Sequence, residues 1–127
     1  MNFTIKLRLP FLLILCGIAL LAAANPLMAQ TQSEMNTEAA EDFTRADRVL
    51  NETYKAVMDQ VDEDSRTLLK SAQKAWIAYR DAEAKFQADL EARGGSMYPL
   101  SLMAYKTTLT QQRTSELEQL LENKDSE

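Results

Sequence analysis

Residues 65–95 read SRTLLKSAQKAWIAYRDAEAKFQADLEARGG. Apolar side chains recur there at three- and four-residue steps, the spacing of one face of an α-helix. The pattern stops at Gly94 and Gly95, and glycine often ends helices because it takes left-handed dihedral angles at little cost. The stretch therefore predicts a long helix from about Ser65 to Ala92. The residues predicted to form its buried stripe are Leu69, Ala72, Trp76, Tyr79, Phe86 and Leu90.

The segments on both sides of this stretch show the same helical period. One predicted helix covers residues 39–61, and another follows Ser96 and Pro99, residues that suit the start of a helix. Three amphipathic helices with short connections predict an all-α fold, an antiparallel three-helix bundle. The predicted stripes are Phe43, Ala46, Leu50, Tyr54, Val57 and Val61 in the first helix, and Leu102, Leu109, Leu117, Leu120 and Leu121 in the third.

The polar segment DEDS at residues 62–65 separates the first two predicted helices. A calcium-binding loop would need a glycine and a distant glutamate at fixed spacing, and this segment has neither. Acidic residues at a helix start cap free amide groups and favour the positive end of the helix dipole. The segment therefore predicts the start of the second helix.

The first residues have the three parts of an export signal. Lys6 and Arg8 supply positive charge, residues 11–21 form an apolar run, and small residues follow. The run is shorter than the roughly 20 residues that span a bilayer. We therefore expect a cleaved signal peptide over residues 1–29 rather than a membrane anchor, with cleavage after Ala24 as the alternative.

Cys16 raises the alternative of a lipoprotein signal. Such a signal requires small residues just before the cysteine, whereas Ile14 and Leu15 are bulky. Acylation at this position would also leave a very short apolar segment ahead of it. A lipid anchor is therefore not expected.

The chain that remains after cleavage is expected to be one small domain with flexible ends. Residues 30–38 are polar and unpatterned and predict a flexible leader. The helical domain is expected over residues 39–122, and residues 123–127 are expected to fray. No membrane span is expected after signal cleavage, and the sequence leaves the oligomeric state undetermined.

Without the predicted signal the chain has 12 basic and 19 acidic residues, a net charge of −7, because Lys6 and Arg8 leave with the signal. An acidic surface disfavours nucleic acid and suits a basic partner. The chain has no histidine, and Cys16 lies in the signal. We therefore expect no disulfide, no cysteine nucleophile, no histidine catalysis, no zinc or other metal site, and no cofactor.

Four ordered motifs carry a family resemblance: LNETY at 50–54, QKAWIAYRD at 73–81, GGS at 94–96 and LTQQR at 109–113, the last followed by Leu117. Together they resemble the LprI-type lysozyme-inhibitor domain of small secreted bacterial proteins, over about residues 40–121. The resemblance implies a helical domain, a periplasmic or secreted location, and lysozyme or another basic protein as partner. The motif positions that it marks as binding residues are Trp76, Tyr79, Arg80, Asp81, Gly94, Gly95, Ser96 and Arg113.

The resemblance also implies that a disulfide is missing. The family commonly has two cysteines, and the corresponding positions here are Ala84 and either Ala104 or Tyr105. Both halves of the bridge are therefore absent, which leaves the bundle dependent on packing.

Three charged residues fall on the predicted apolar stripes, where a charge must be paired or must reach water. Folding the chain back at the two glycines places Glu83 opposite Lys106 and Arg113 near Trp76. This predicts a Glu83–Lys106 ion pair and a guanidinium stacked on the indole. The alternative is that the cluster opens on one side and accepts a side chain of a partner.

Trp76 itself lies in the middle of a predicted stripe, so the sequence predicts a core position, with ligand contact as the alternative. Asp81 and Glu83 are a pair of carboxylates, the residue type that glycoside hydrolysis requires. They are two residues apart on a helix and point in different directions, so no enzyme is expected.

These observations predict a secreted or periplasmic protein that resembles lysozyme inhibitors and acts by non-covalent binding. The loop at residues 93–100 is the segment expected to block a cleft. The alternative function is a helical cell-envelope interaction protein with an unrelated partner, in which the shared motifs only maintain the fold.

Overall fold

Three helices and no strand make up residues 9–124, whose backbone the computed structural model describes; side chains are described for residues 27–123. The all-α prediction is confirmed. The chain divides into two units, Met1–Glu34 and Met35–Glu127, and the helical bundle belongs to the second. The predicted signal, including Cys16, lies largely outside the described side chains, and the predicted tail ends outside the described residues. The helices are α1 (Leu9–Gln60), α2 (Glu63–Ala92) and α3 (Tyr98–Lys124).

A two-residue connection joins α1 to α2. Asp62 is the N-cap of α2, and its Oδ1 accepts a hydrogen bond from the amide of Ser65 at 2.8 Å. Glu63 and Asp64 follow in the first turn. The prediction that these acids start a helix is confirmed, and the helix begins two residues earlier than predicted.

The α2–α3 connection reverses the chain at two glycines. Gly94 has a φ of +69°, a left-handed conformation that other residues adopt at a cost. The amide of Gly95 donates to the carbonyl of Ala92 at 2.9 Å and closes the end of α2. Pro99 lies in the first turn of α3, where a missing amide hydrogen costs nothing.

Successive helices run antiparallel. Hydrogen bonds and ion pairs between them join residues whose numbers rise on one helix as they fall on the other. The cross-helix pairs are Asp47–Arg80 and Met58–Arg66 between α1 and α2, and Asp81–Lys106 and Gln73–Arg113 between α2 and α3.

The apolar core lies toward the end of the bundle where α1 meets α2. Leu50, Val57 and Leu117 are buried there, so α1 and α3 both contribute. The predicted stripe of α1 is confirmed, because all six of its members are buried or half-buried. In α3 the leucines at 102, 109, 117 and 121 are likewise buried or half-buried, whereas Leu120 is exposed. The half-buried residues that pack against the core are Tyr54, Val61, Leu69, Trp76 and Leu121.

The predicted stripe of α2 is wrong in part. Tyr79, Phe86 and Leu90 are exposed, and Ala72 is exposed as well. The buried face of α2 lies about a third of a turn away and includes polar side chains. Because the large apolar residues of α2 lie on its exposed face, hydrophobicity alone does not select the face that packs against the other helices. The buried residues of α2 are Gln73, Arg80, Ala84 and Ala88.

Residues 30–38, predicted to be an unpatterned leader, lie within α1. No glycine or proline occurs between Pro26 and Gln60, so nothing interrupts the backbone hydrogen bonds of the helix. Five of its nine residues are glutamine, glutamate or methionine, which favour helix. Its mobility stays a prediction.

Within residues 27–123, whose side chains the structure describes, no helix has a stretch long and apolar enough to cross a membrane.

Candidate functional site

Arg80 occupies the centre of a charged and aromatic cluster between α1 and α2. Its side chain is 7% exposed, and its guanidinium lies 5.1 Å from the centre of the Phe43 ring and 5.4 Å from that of Trp76. Nη1 donates to Asp47 at 3.0 Å and Nε donates to Asp81 at 3.0 Å. A buried charge requires such partners, and these contacts tie α2 to α1.

Lys106 extends the cluster to α3. Its Nζ lies 3.2 Å from Oδ1 of Asp81 and 4.5 Å from the centre of the Phe43 ring. Partial burial raises the pKa of Asp81, but hydrogen bonds and charge from Arg80 and Lys106 outweigh it, so the pKa lies below its ordinary value. Asp81 is therefore an ionised link between two helices. We call Phe43, Asp47, Trp76, Arg80, Asp81 and Lys106 the Arg80 cluster.

Three further polar contacts involve motif residues. Arg113 donates from Nε to Oε1 of the buried Gln73 at 3.2 Å and from Nη1 to Glu116 at 2.7 Å. On α1, Asn51 donates to Oδ2 of Asp47 at 3.2 Å and so helps to position the carboxylate that receives Arg80. The motif residues therefore bond both to one another and to residues outside the motifs, such as Asp47 and Lys106.

Both predicted side-chain pairs differ from the structure. Lys106 pairs with Asp81 rather than with Glu83, which accepts a hydrogen bond from Gln87 at 2.8 Å. The guanidinium on Trp76 belongs to Arg80, whereas Arg113 bonds to Gln73 and Glu116. The physical reason is register: α2 and α3 pair two to three residues away from the alignment centred on the glycines.

The predicted binding residues divide into two groups. Arg80 is buried, and Trp76, Asp81 and Arg113 are half-buried. The charged groups of Asp81 and Arg113 are bonded within the bundle, and the ring of Trp76 faces the Arg80 guanidinium. Tyr79 and the loop glycines are exposed. Only the second group is positioned to touch a partner without rearrangement. Its members are Tyr79, Gly94, Gly95 and Ser96.

A groove lies beside this loop, at the end of the bundle where α2 passes into α3. Two open depressions, of about 410 Å³ and about 360 Å³, share the residues Leu100, Ala104 and Thr108. We call their joint lining the acidic groove. Its other lining residues are Met35, Glu38, Ala39, Asp42, Glu91, Met97, Ser101, Tyr105 and Thr107.

The charge of the acidic groove is negative. Its lining includes three carboxylates, and none of the described residues that line it is basic. Asp42 pairs with Arg45 on its own helix. Glu38 and Glu91 are exposed and form no ion pair with any residue that the structure describes. The groove is thus an apolar surface with unneutralised acids, a surface suited to a cation on an amphipathic partner.

Sequence reasoning missed this groove because its residues come from all three helices. Net charge predicted an acidic surface, but the position of the acids depends on which sides of α1 and α3 meet. Within residues 27–123, no group of three or more acidic, cysteine or histidine side chains is placed to hold a metal ion.

The chain is similar to known proteins along most of its length. The family model described as "Lysozyme inhibitor LprI" matches residues 22–117. An uncharacterized protein of Rhizobium meliloti (strain 1021) is 35% identical over 131 residues, which cover 90% of this chain and 94% of that protein. No solved structure matches. The matched residues include all of α2 and most of α3.

Proposed function

We propose that this chain, which belongs to the LprI lysozyme inhibitor family, is an exported protein that binds lysozyme non-covalently and inhibits it. The observation that carries the proposal is the acidic groove. It provides a surface of the charge and apolar character that a strongly basic enzyme requires. The family description supplies the identity of the partner.

Charge attraction accounts for the first step of binding. The expected mature chain has a net charge of −7, and a surface of one sign raises the association rate with a partner of the other. Glu38 and Glu91 are exposed on the groove and lack an internal cation, so a lysine or arginine of lysozyme can approach them directly.

Apolar contact accounts for the second step. Met35 and Met97 are exposed, and Leu100 lies between them in the lining of the groove. Methionine side chains are flexible and polarisable, so they adapt to an irregular partner surface. Burying these side chains removes apolar area from water and stabilises the complex.

The loop beside the groove supplies the means of inhibition. Gly94, Gly95 and Ser96 are exposed and carry little or no side chain, so the turn is narrow enough to enter a substrate cleft. In this proposal the Arg80 cluster holds the helices that present the loop, and its members do not touch lysozyme.

The same proposal makes the protein a binding protein rather than an enzyme, located in the periplasm or secreted. The export signal expected at residues 1–29 and the family's description support that location. No cofactor is invoked, because non-covalent binding requires none.

A binding titration with charge-reversed variants tests the proposed surface. The protein is expressed as the full chain, exported, purified, and titrated with lysozyme. We expect the double variant Glu38→Lys/Glu91→Lys to bind at least about tenfold more weakly, because two attractive charges become repulsive. The matched control is Glu52→Lys/Glu118→Lys, which changes net charge equally at exposed positions that do not line the groove.

Equal loss of affinity in both double variants would show that only net charge matters and would remove the groove from the proposal. Unchanged affinity in the groove variant would do the same. Failure of the parent protein to bind lysozyme at low salt would leave the alternative function, an envelope protein with an unrelated partner.

A further inference from the structure

A continuous apolar stripe on α2 faces solvent. Four large side chains dominate it: Leu68 is 72% exposed, Tyr79 54%, Phe86 54% and Leu90 63%. Three exposed alanines fill the intervals. We call this set the α2 stripe. Its members are Leu68, Ala72, Ala75, Tyr79, Ala82, Phe86 and Leu90.

The spacing of the α2 stripe is that of a helix–helix seam. Its members follow one another at steps of four, three, four, three, four and four residues, and alternation of three and four is the pattern of coiled-coil contacts. The stripe is about 33 Å long at 1.5 Å per residue. An apolar surface of this extent is comparable with the largest patch on a typical monomer, and such patches are often interaction sites.

We propose that two copies of this chain associate through the α2 stripe, with the two α2 helices antiparallel and Tyr79 at the two-fold axis. The proposal goes beyond lysozyme binding. A two-fold interface pairs one surface with itself. The apolar residues of the stripe must therefore be spaced almost symmetrically on the two sides of its centre.

The sequence of α2 meets that requirement. Counted from Tyr79, apolar members lie at offsets of −11, −7, −4, +3, +7 and +11. The antiparallel arrangement sets Leu68 against Leu90 of the second copy and Phe86 against Ala72. A parallel arrangement would set Phe86 against Phe86 and alanine against alanine, leaving wide and narrow places along one seam. Bulky side chains opposite small ones fill the space between helices more evenly.

The charges at the ends of α2 favour the same orientation. Asp64, in the first turn, and Arg93, just after the last turn, lie 15 and 14 residues from Tyr79 in opposite directions. Antiparallel pairing brings Asp64 of one copy near Arg93 of the other. Parallel pairing would bring two Asp64 side chains together and two Arg93 side chains together, which is unfavourable.

The size of the surface sets the strength of the association. A helix face of this length and about 10 Å width has an area of about 330 Å² on each copy. The two copies together then bury about 660 Å², which is the size of a weak, transient interface rather than of a stable one. We therefore expect a dimer that dissociates in the micromolar range.

Sedimentation of the exported protein across micromolar concentrations tests the association. The parent is expected to shift from monomer to dimer, and Phe86→Glu to raise the dissociation constant at least about tenfold. The control is Ile77→Glu, an exposed apolar residue of α2 outside the stripe, which is expected to dimerise as the parent does. Circular dichroism melting shows that each variant stays folded.

Disulfide trapping tests the orientation. Under mild oxidation Tyr79→Cys is expected to form a covalent dimer, because the two-fold axis brings the two alpha carbons within the roughly 7 Å that a disulfide allows. Leu68→Cys is expected to stay monomeric under the same conditions, because the second Leu68 lies at the far end of the seam. The parent, exported and purified in the same way, provides the baseline.

Three outcomes would overturn the proposal. The first is a monomeric parent at every concentration. The second is a dimer that Phe86→Glu does not weaken. The third is cross-linking of Leu68→Cys, which requires a parallel pair. A monomer in which Phe86→Glu abolishes lysozyme binding would assign the α2 stripe to lysozyme and would also overturn self-association.

Discussion

Arg80→Met isolates the contribution of the Arg80 cluster to stability. Methionine retains the apolar stem of the side chain and removes the guanidinium, which is 7% exposed and bonded to two carboxylates and two rings. If the cluster holds α1 and α2 together, the variant loses stability. The matched control is Arg48→Met, since Arg48 is an exposed arginine on α1.

The magnitude follows from the contacts that are removed. A cation over an aromatic face contributes about 1 kcal/mol when largely buried, and Arg80 has two such contacts. Asp47 and Asp81 are 39% and 41% exposed, so each ion pair is partly screened and contributes about 0.5 kcal/mol. We therefore expect the free energy of unfolding to fall by about 3 kcal/mol, a large fraction of the about 5–15 kcal/mol typical of a domain.

Urea unfolding followed by far-ultraviolet circular dichroism measures this loss. The midpoint should fall without a change in slope, and the melting temperature should fall by roughly 12–24 °C. Arg48→Met should stay within about 0.5 kcal/mol of the parent. An Arg80→Met variant as stable as the parent that nevertheless loses lysozyme binding would refute the structural role and make Arg80 a recognition residue.

Three further perturbations test other parts of the account. Trp76→Ala should destabilise by about 3 kcal/mol in the same unfolding assay, as large aromatic truncations do; unchanged stability with lost binding would reassign Trp76 to recognition. Asp81→Asn should be less stable than the parent at neutral pH. Because the folded pKa of Asp81 is lowered, its contribution is complete above the ordinary carboxyl pKa of 3.8 and is lost as the pH falls through the lowered pKa. Unfolding curves of parent and variant should therefore converge in acid, and a constant gap would contradict the ion-pair account. Cysteines at Ala84 and Tyr105 should form a bridge and stabilise by about 3 kcal/mol less any strain. Cysteines at Ala84 and Ala104 should not, because Ala84 is buried and Ala104 is exposed, whereas Tyr105 is half-buried. Melting with and without reductant decides between the pairs.

The number of helices and their turns follow from local chemistry that the sequence displays. Asp62 caps α2, and Gly94 adopts the left-handed conformation that ends it. The apolar stripe of α1 was also predictable, because charged residues occupy its other sides and leave a single apolar face. In these segments the helix propensity of the residues and the spacing of the apolar residues indicate the same structure. The helix ends and the buried face of α1 can therefore be predicted from the local sequence.

The orientation of α2 was not predictable in the same way. Its buried face contains Gln73 and Arg80, polar side chains that become favourable inside only because Arg113 and Asp47 meet them. Those partners lie on other helices, at a register that no local pattern encodes. The more apolar residues, such as Phe86, lie on the exposed face. The position of the acidic groove could not be predicted from the sequence either, because residues of three helices line it.

The buried face of α3 includes small polar residues. Thr110 and Thr114 are buried, and the hydroxyl of Thr114 donates to the carbonyl of Thr110 at 3.0 Å. Composition alone would place threonine on the surface, but this backbone bond satisfies the hydroxyl of Thr114 within the helix. The buried hydroxyl of Thr110 has no hydrogen-bond partner among the described residues. A prediction based on apolar residues alone therefore underestimates how much of α3 is buried.

The lysis rate of a bacterial cell suspension under lysozyme, followed by turbidity, tests the central claim most directly. With increasing amounts of the exported protein the rate should fall to a low plateau at low salt. The inhibition should weaken as salt screens the charges of the acidic groove. Glu38→Lys/Glu91→Lys should require at least about ten times more protein for the same effect. Lysis at the full rate with a large excess of folded parent protein would contradict the claim that this chain inhibits lysozyme.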